Sequence, residues 1–334
     1  MAKKAVAPDF KALYKSFNKD FGYVNSREVI STNSLVLDTL LGGGIPLGKM
    51  IDLSSKAGVG KTLISIEMAR AVINNSDKRV LFIDAERSLE SDILKGVLED
   101  NLGDRFTVLR VSDYDSLDHV LQEFSQHNLG LVIIDSLTAV APPSLFSGEK
   151  AISEIGIGEA ARLQSNFLKK YKCLCDRANF SMLFINQVRT KIGIGFGQRT
   201  VTEGSASNAL RHYADIRFTL RRVKSYKDSE GQPMSAEVEI VSLKNKLAGN
   251  LKAIAYLKYG VGICNDAALA AYLVKGGFIT QSGAFYTISL PGLEPKKAQG
   301  MEKCKAFLNE NEALANETVR TKCGMFVEID VAEE

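Results

Sequence analysis

Eight residues, Ser55-Lys56-Ala57-Gly58-Val59-Gly60-Lys61-Thr62, stand between the apolar run Met50 to Leu53 and a stretch where Ile64, Met68, Ala71 and Val72 recur at helical spacing. A glycine-bearing turn between a buried strand and a helix is the setting a phosphate-binding loop requires. Gly58 and Gly60 let backbone N–H groups turn inward, and the helix that follows presents its positive end to the same anion. Lys61 is then placed for β- and γ-phosphates, and the Thr62 hydroxyl for Mg2+. All eight residues are candidates for nucleotide binding. The common pattern opens on glycine, and this chain has Ser55 there.

Such a loop implies a parallel sheet, and residues 50–185 carry the matching alternation of short apolar runs and amphipathic stretches. The runs are Met50 to Leu53, Arg79 to Asp84, Phe106 to Val111, Leu131 to Asp135 and Ser181 to Ile185. After residue 215 longer strands follow, Asp215 to Arg222, Ala236 to Leu243 and Ala253 to Leu257, predicting an antiparallel extension. From Asn265 onward two helical patterns flank a strand-like stretch at Ala284 to Leu290. The fold class expected is α/β, with a mostly parallel central sheet and a small α+β C-terminal domain.

Two carboxylates emerge from apolar runs. Asp135 ends Leu131-Val132-Ile133-Ile134, where it can hold Mg2+ beside the phosphate loop, and Asp84-Ala85-Glu86 offers Glu86 as the base for the attacking water.

Residues 187–208 show no clear periodicity and hold Arg189, Lys191 and Arg199 among Gly193, Gly195, Gly197 and Gly204, as a loop gripping a phosphate backbone needs. A second loop, 142–157, is broken by Pro142 and Pro143 and leads into a helix with Arg162 and Lys169 seven residues apart on one face. Near the start, Phe10, Leu13, Tyr14, Phe17 and Phe21 form a helical stripe whose partner is either the chain's own body or a neighbouring subunit.

A net charge of +3 is too small to announce a nucleic-acid partner by itself. The five cysteines are scattered without zinc or disulfide spacing, and no run of 18 apolar residues occurs. A cytoplasmic protein without a membrane partner is expected.

The chain resembles the bacterial RecA recombinase family over nearly its whole length. The resemblance rests on Phe82-Ile83-Asp84-Ala85-Glu86, Ile134-Asp135-Ser136, Phe184-Ile185-Asn186-Gln187-Val188-Arg189, Lys191-Ile192-Gly193, Phe196-Gly197, Asn208-Ala209-Leu210 and Tyr213. It implies a RecA-type P-loop NTPase core at 33–264, a protomer-packing arm at 1–32 and a C-terminal domain at 265–334. It further implies ATP and Mg2+ as ligands, a helical homo-oligomeric filament on single-stranded DNA, and pairing with homologous duplex DNA.

By this resemblance Glu86 is the ATPase base, and Gln187 senses the γ-phosphate and passes its presence to the DNA loop. Lys244 and Lys246 reach the ATP of the adjacent protomer. Glu90, Tyr259 and Gly260 lie on the adenine side, with Ile93 where a tyrosine is usual. DNA contacts fall to Arg162, Lys169, Arg189, Lys191, Gly193, Arg199 and Asn208, with Ile157 and Ile192 as apolar wedges between bases. Arg221 and Arg222 match a second DNA site, where Glu239 replaces an expected basic residue. The rivals are a ring-forming ATPase, such as a helicase or branch-migration factor, and a non-catalytic relative.

Overall fold

A computed structural model describes residues 28–90, 94, 105–147, 157–192, 199–202, 205–323 and 327–328. The stripe from Phe10 to Phe21, Ile93 and Gly193 lie outside them.

The chain enters through β1 (Val29–Ile30), paired antiparallel with β2 (Ile45–Pro46), and the short helix α1 (Leu35–Leu41) between them. Residues 28–32 are thereby attached to the body of the protein, where Thr32 donates to the buried Asp38 from its N–H at 2.7 Å and its hydroxyl at 2.6 Å.

The expected alternation then builds β3 (Met50–Ser55), α2 (Lys61–Asn75), β4 (Arg79–Asp84), β5 (Phe106–Leu109), α3 (Tyr114–Phe124), β6 (Leu129–Asp135), α4 (Ile157–Ala178) and β7 (Ser181–Gln187). These strands lie parallel in the order β3-β7-β6-β4-β5. They read as largely apolar runs because both faces are covered. Along β4, Val80 and Phe82 join α2 on one face, while Leu81 and Ile83 join Leu117, Leu121, Phe167 and Tyr171 from α3 and α4 on the other. Phe82 and Phe184 are fully buried, and truncating either to alanine costs about 3–5 kcal/mol.

Residues 187–208 contain more regular structure than their composition suggests. β8 (Arg189–Ile192) and β9 (Arg199–Thr202) form an antiparallel hairpin, and α5 (Ser205–Tyr213) includes Asn208. The sequence shows no clear periodicity over these residues, and the backbone nonetheless forms a hairpin and a helix there. Arg189–Ile192 and Arg199–Thr202 are short and mostly polar, so periodicity does not mark them as strands.

β10 (Ile216–Lys227) adds parallel to β3, and β11 (Pro233–Asn245), β12 (Leu251–Lys258) and β13 (Gly262–Ile263) continue antiparallel beyond it. The strand-like stretch expected at 284–290 is the middle strand of a separate antiparallel sheet, formed by β14 (Ile279–Ser282), β15 (Phe285–Ile288) and β16 (Lys296–Gln299). Helices α6 (Asn265–Lys275), α7 (Met301–Glu310) and α8 (Glu312–Lys322) pack with it, and Leu273, Ile288, Leu308 and Val319 continue the apolar cluster that covers α2. A last strand, β17 (Val327–Glu328), pairs with β12. Helix α2 is apolar nearly all round because it lies between the central sheet and the β1 and β13 segments.

Candidate nucleotide site at the sheet edge

The parallel register brings the carboxyl ends of four strands to one edge. Ser55 pairs with Gln187, and Asp84 pairs with Asp135. Ligands of open α/β sheets bind at this edge, where loops leave the strands.

Between Ser55 and α2 the backbone turns through Gly58 at φ 69° and Gly60 at φ 119°. Gly60 caps α2 without any side-chain hydrogen bond, so the first N–H groups of the helix face the loop. A Cβ on Gly60 would stand 2.5 Å from Leu257 Cδ1, and the φ of 119° is one that a residue with a side chain rarely adopts. A cradle of inward N–H groups at a helix start fits a phosphate chain.

Lys61 is buried, and its Nζ donates to Ser55 Oγ at 3.1 Å, Lys56 O at 3.1 Å and Ser55 O at 3.3 Å. Burial lowers its pKa, against the opposing pull of Asp135 and Glu86. The Thr62 hydroxyl donates to Asp135 Oδ2 at 3.4 Å. That carboxylate is buried beside Glu86, and its pKa is pushed up to about 7, chiefly by burial and next by the Glu86 charge. A hydroxyl and a carboxylate converging next to a phosphate cradle form an oxygen donor set suited to Mg2+.

The turn after β4 is held from two sides. Asp84 accepts from the N–H groups of Ser88 at 3.0 Å and Leu89 at 3.3 Å, while the N–H groups of Ala85 and Glu86 donate to Asp135 O at 2.8 and 3.0 Å. Glu86 is thus projected over the edge, where its Oε1 accepts from Ser136 Oγ at 2.5 Å and its Oε2 from Gln187 Nε2 at 3.1 Å. Sequence reasoning assigned Ser136 no role. Its place right after Asp135 is the only sequence signal for one.

Arg222 was also missed here, having been read as part of a second DNA site. Its Nη2 lies 3.7 Å from where a Cβ on Gly58 would project. The pairing of Leu220 with Ser55 carries the end of β10 past the loop, a relation only the register reveals. Its neighbour Arg221 donates to Glu239 Oε2 from Nε at 3.1 Å and from Nη2 at 2.9 Å.

The remaining expected residues are spread wider. Tyr259 packs on the core, and Gly260 at φ 74° turns the chain back toward α2, where Ile263 N–H donates to Glu67 Oε1 at 3.2 Å. Glu90 is exposed past the β4 turn. Arg162 and Lys169 are exposed on α4. Arg189, Lys191, Ile192 and Arg199 are placed by backbone in the β8–β9 hairpin, Ile157 begins α4 and Asn208 lies in α5; their side chains lie outside the described residues.

Lys244 and Lys246 stand at the far edge of the sheet. Lys244 and Asp52 both pair with Arg217, so the lysines lie beside the start of β3 and the phosphate loop at its end. Lys244 Nζ donates to the last-turn carbonyls of α5, Arg211 O at 2.7 Å and His212 O at 3.2 Å. Lys246 Nζ lies 4.0 Å from Asp215, which also binds Lys172 and accepts from Met50 N–H at 3.0 Å.

All five cysteines are free thiols, no cluster of metal-ligand type occurs among the described residues, and no described helix is long and apolar enough to cross a membrane.

Comparison with known proteins agrees with the fold. Residues 17–264 match the family model described as the RecA N-terminal domain. The chain is 34% identical over 317 residues to Protein RecA of Nocardioides sp., covering 92% of this chain and 86% of that one. It is 32% identical over 329 residues to Protein RecA of Allochromatium vinosum, covering 94% and 90%. With Protein RecA of Sulfurimonas denitrificans it shares 35% identity over 297 residues, covering 87% and 82%.

Proposed function

Since the chain belongs to the RecA family, we propose that it is a DNA recombinase that assembles as a filament on single-stranded DNA and hydrolyses ATP when bound there. One observation carries this reading most directly. Gln187 donates to the candidate base Glu86, the next residue Val188 donates its N–H to Ser55 O at 3.0 Å, and the chain then enters the basic β8–β9 hairpin. Nucleotide chemistry and DNA grip are therefore adjacent on one strand.

In this reading Lys61 and the loop N–H groups hold the phosphates, and Thr62 and Asp135 hold Mg2+. Bound Mg2+ supplies charge neutralisation at the β- and γ-oxygens. Glu86 takes a proton from the attacking water while Ser136 and Gln187 fix its carboxylate. Tyr259 and Gly260 border the adenine side, with Glu90 beside it. Lys244 and Lys246, remote from their own chain's loop, serve the nucleotide of a neighbouring protomer. Residues 1–32 act as a packing arm, 33–264 as the ATPase core and 265–334 as a C-terminal domain.

Arg162, Lys169, Arg189, Lys191 and Arg199 neutralise DNA phosphates, with Gly193 and Asn208 allowing close approach and Ile157 and Ile192 entering the base stack. Homologous duplex is recognised by base pairing, and the site of action is the cytoplasm.

Negative-stain microscopy with single-stranded DNA and a slowly hydrolysed ATP analogue tests this. Wild type should form filaments and Lys61→Ala should not. Closed rings, or filaments indifferent to nucleotide, would overturn the reading.

A further inference from the structure

The hydroxyl that replaces the first loop glycine has a job. Ser55 is almost fully buried, and its backbone is pinned on both sides, paired with Gln187 on β7 and Leu220 on β10. Its Oγ donates to Lys56 O at 2.7 Å, which aims the oxygen lone pairs away from that carbonyl. Lys61 Nζ meets Ser55 Oγ at 3.1 Å, Lys56 O at 3.1 Å and Ser55 O at 3.3 Å. An ammonium has three N–H bonds, so every donor of Lys61 is engaged by the loop itself. With glycine at position 55, two acceptors would remain.

We propose that Ser55 is a positioning residue that holds Lys61 against the loop and thereby sets nucleotide affinity. The inference rests on the nucleotide reading of this loop. Incoming phosphate oxygens must draw Lys61 off Ser55 Oγ, and the strand pairs on either side keep that oxygen from following. A charge-assisted hydrogen bond given up on binding weakens affinity. Ser55→Ala removes the acceptor while keeping the strand-end geometry. Ser55→Thr keeps the hydroxyl.

The test has two readouts on the full-length protein. The first is titration of a fluorescent ATP analogue with Mg2+. Ser55→Ala and Ser55→Gly should bind about tenfold more tightly than wild type, and Ser55→Thr within about twofold of it. The second is the contrast between variants: loosening of the loop would weaken binding in Ser55→Ala, whereas loss of the acceptor tightens it in Ser55→Ala and Ser55→Gly and leaves Ser55→Thr near wild type.

Equal or weaker nucleotide binding by Ser55→Ala, or equally tightened binding by Ser55→Thr, would overturn the proposal. Wild type that binds no nucleotide would overturn the reading of the loop and this inference with it.

Discussion

Gln187 Nε2 donates to Glu86 Oε2 at 3.1 Å, joining the end of β7 to the turn after β4 across the nucleotide edge. Substituting either partner should therefore give distinct losses. Glu86→Gln should lower ATP turnover by about 10²–10⁴ while nucleotide-dependent filaments persist. Gln187→Ala should leave nucleotide binding in place and bring the ratio of DNA-stimulated to basal hydrolysis close to unity. Steady-state phosphate release with and without single-stranded DNA measures both.

The buried Asp135 makes stability depend on pH. Its pKa in the folded protein is about 7, against 3.8 for an unperturbed aspartate. Between those values the folded state holds a proton that the unfolded state has lost. Stability from this group therefore falls as pH rises from about 4 to 7 and stays low above that, with linkage capping the effect at about 4 kcal/mol. Asp135→Asn, which cannot ionise, should melt higher than wild type at pH 8 and lose most of that advantage by pH 5. Thermal denaturation without nucleotide checks the sign. Mg2+ with nucleotide should stabilise wild type more at pH 8 than at pH 6, because the metal takes the ionised carboxylate.

The lysines at the far sheet edge predict complementation between chains. Lys244→Ala and Lys246→Ala proteins should bind nucleotide nearly as wild type does, yet lose most filament-dependent hydrolysis. Mixing either with Lys61→Ala protein should restore a fraction of activity, since some interfaces then pair an intact loop with intact lysines. Hydrolysis measured across mixing ratios would show a maximum between the two inactive extremes. A flat line would place the lysines outside the reaction.

Arg221 spends its charge on Glu239, with contacts of 3.1 and 2.9 Å on an exposed strand face. Releasing it should strengthen duplex capture. Glu239→Gln should raise duplex DNA affinity and steepen its salt dependence by about one counterion, as measured by fluorescence anisotropy at several ionic strengths.

The placement of the candidate residues at one sheet edge was legible because each follows a buried apolar run. Asp135 and Gln187 end β6 and β7, Glu86 follows the end of β4 and Lys61 opens the helix after β3, and parallel strands put such ends at one edge. The partners that orient them were not legible. Ser136 on Glu86 depends on a side-chain direction, and Arg222 beside Gly58 depends on how β10 is registered against β3. In the C-terminal sheet, Lys296–Gln299 shows too little apolar alternation to be seen as a strand, since only Ala298 reaches the core. The β8–β9 hairpin escaped notice because Arg189–Ile192 and Arg199–Thr202 carry little apolar alternation.

The phosphate loop and the lysine pair lie at opposite ends of one sheet, coupled through β10. Stacked head to tail, such chains acquire a direction. On the proposed reading, in which the lysines serve a neighbour's nucleotide, the protomer at one tip would hold nucleotide that no lysines approach, while at the other tip the lysines would meet nothing. A run of protomers would then have one fewer finished site than it has members, and a solitary chain would have none. Turnover per chain would climb with length, and the unfinished tip would keep its nucleotide longest. The same asymmetry would let a growing assembly tell its old end from its new one.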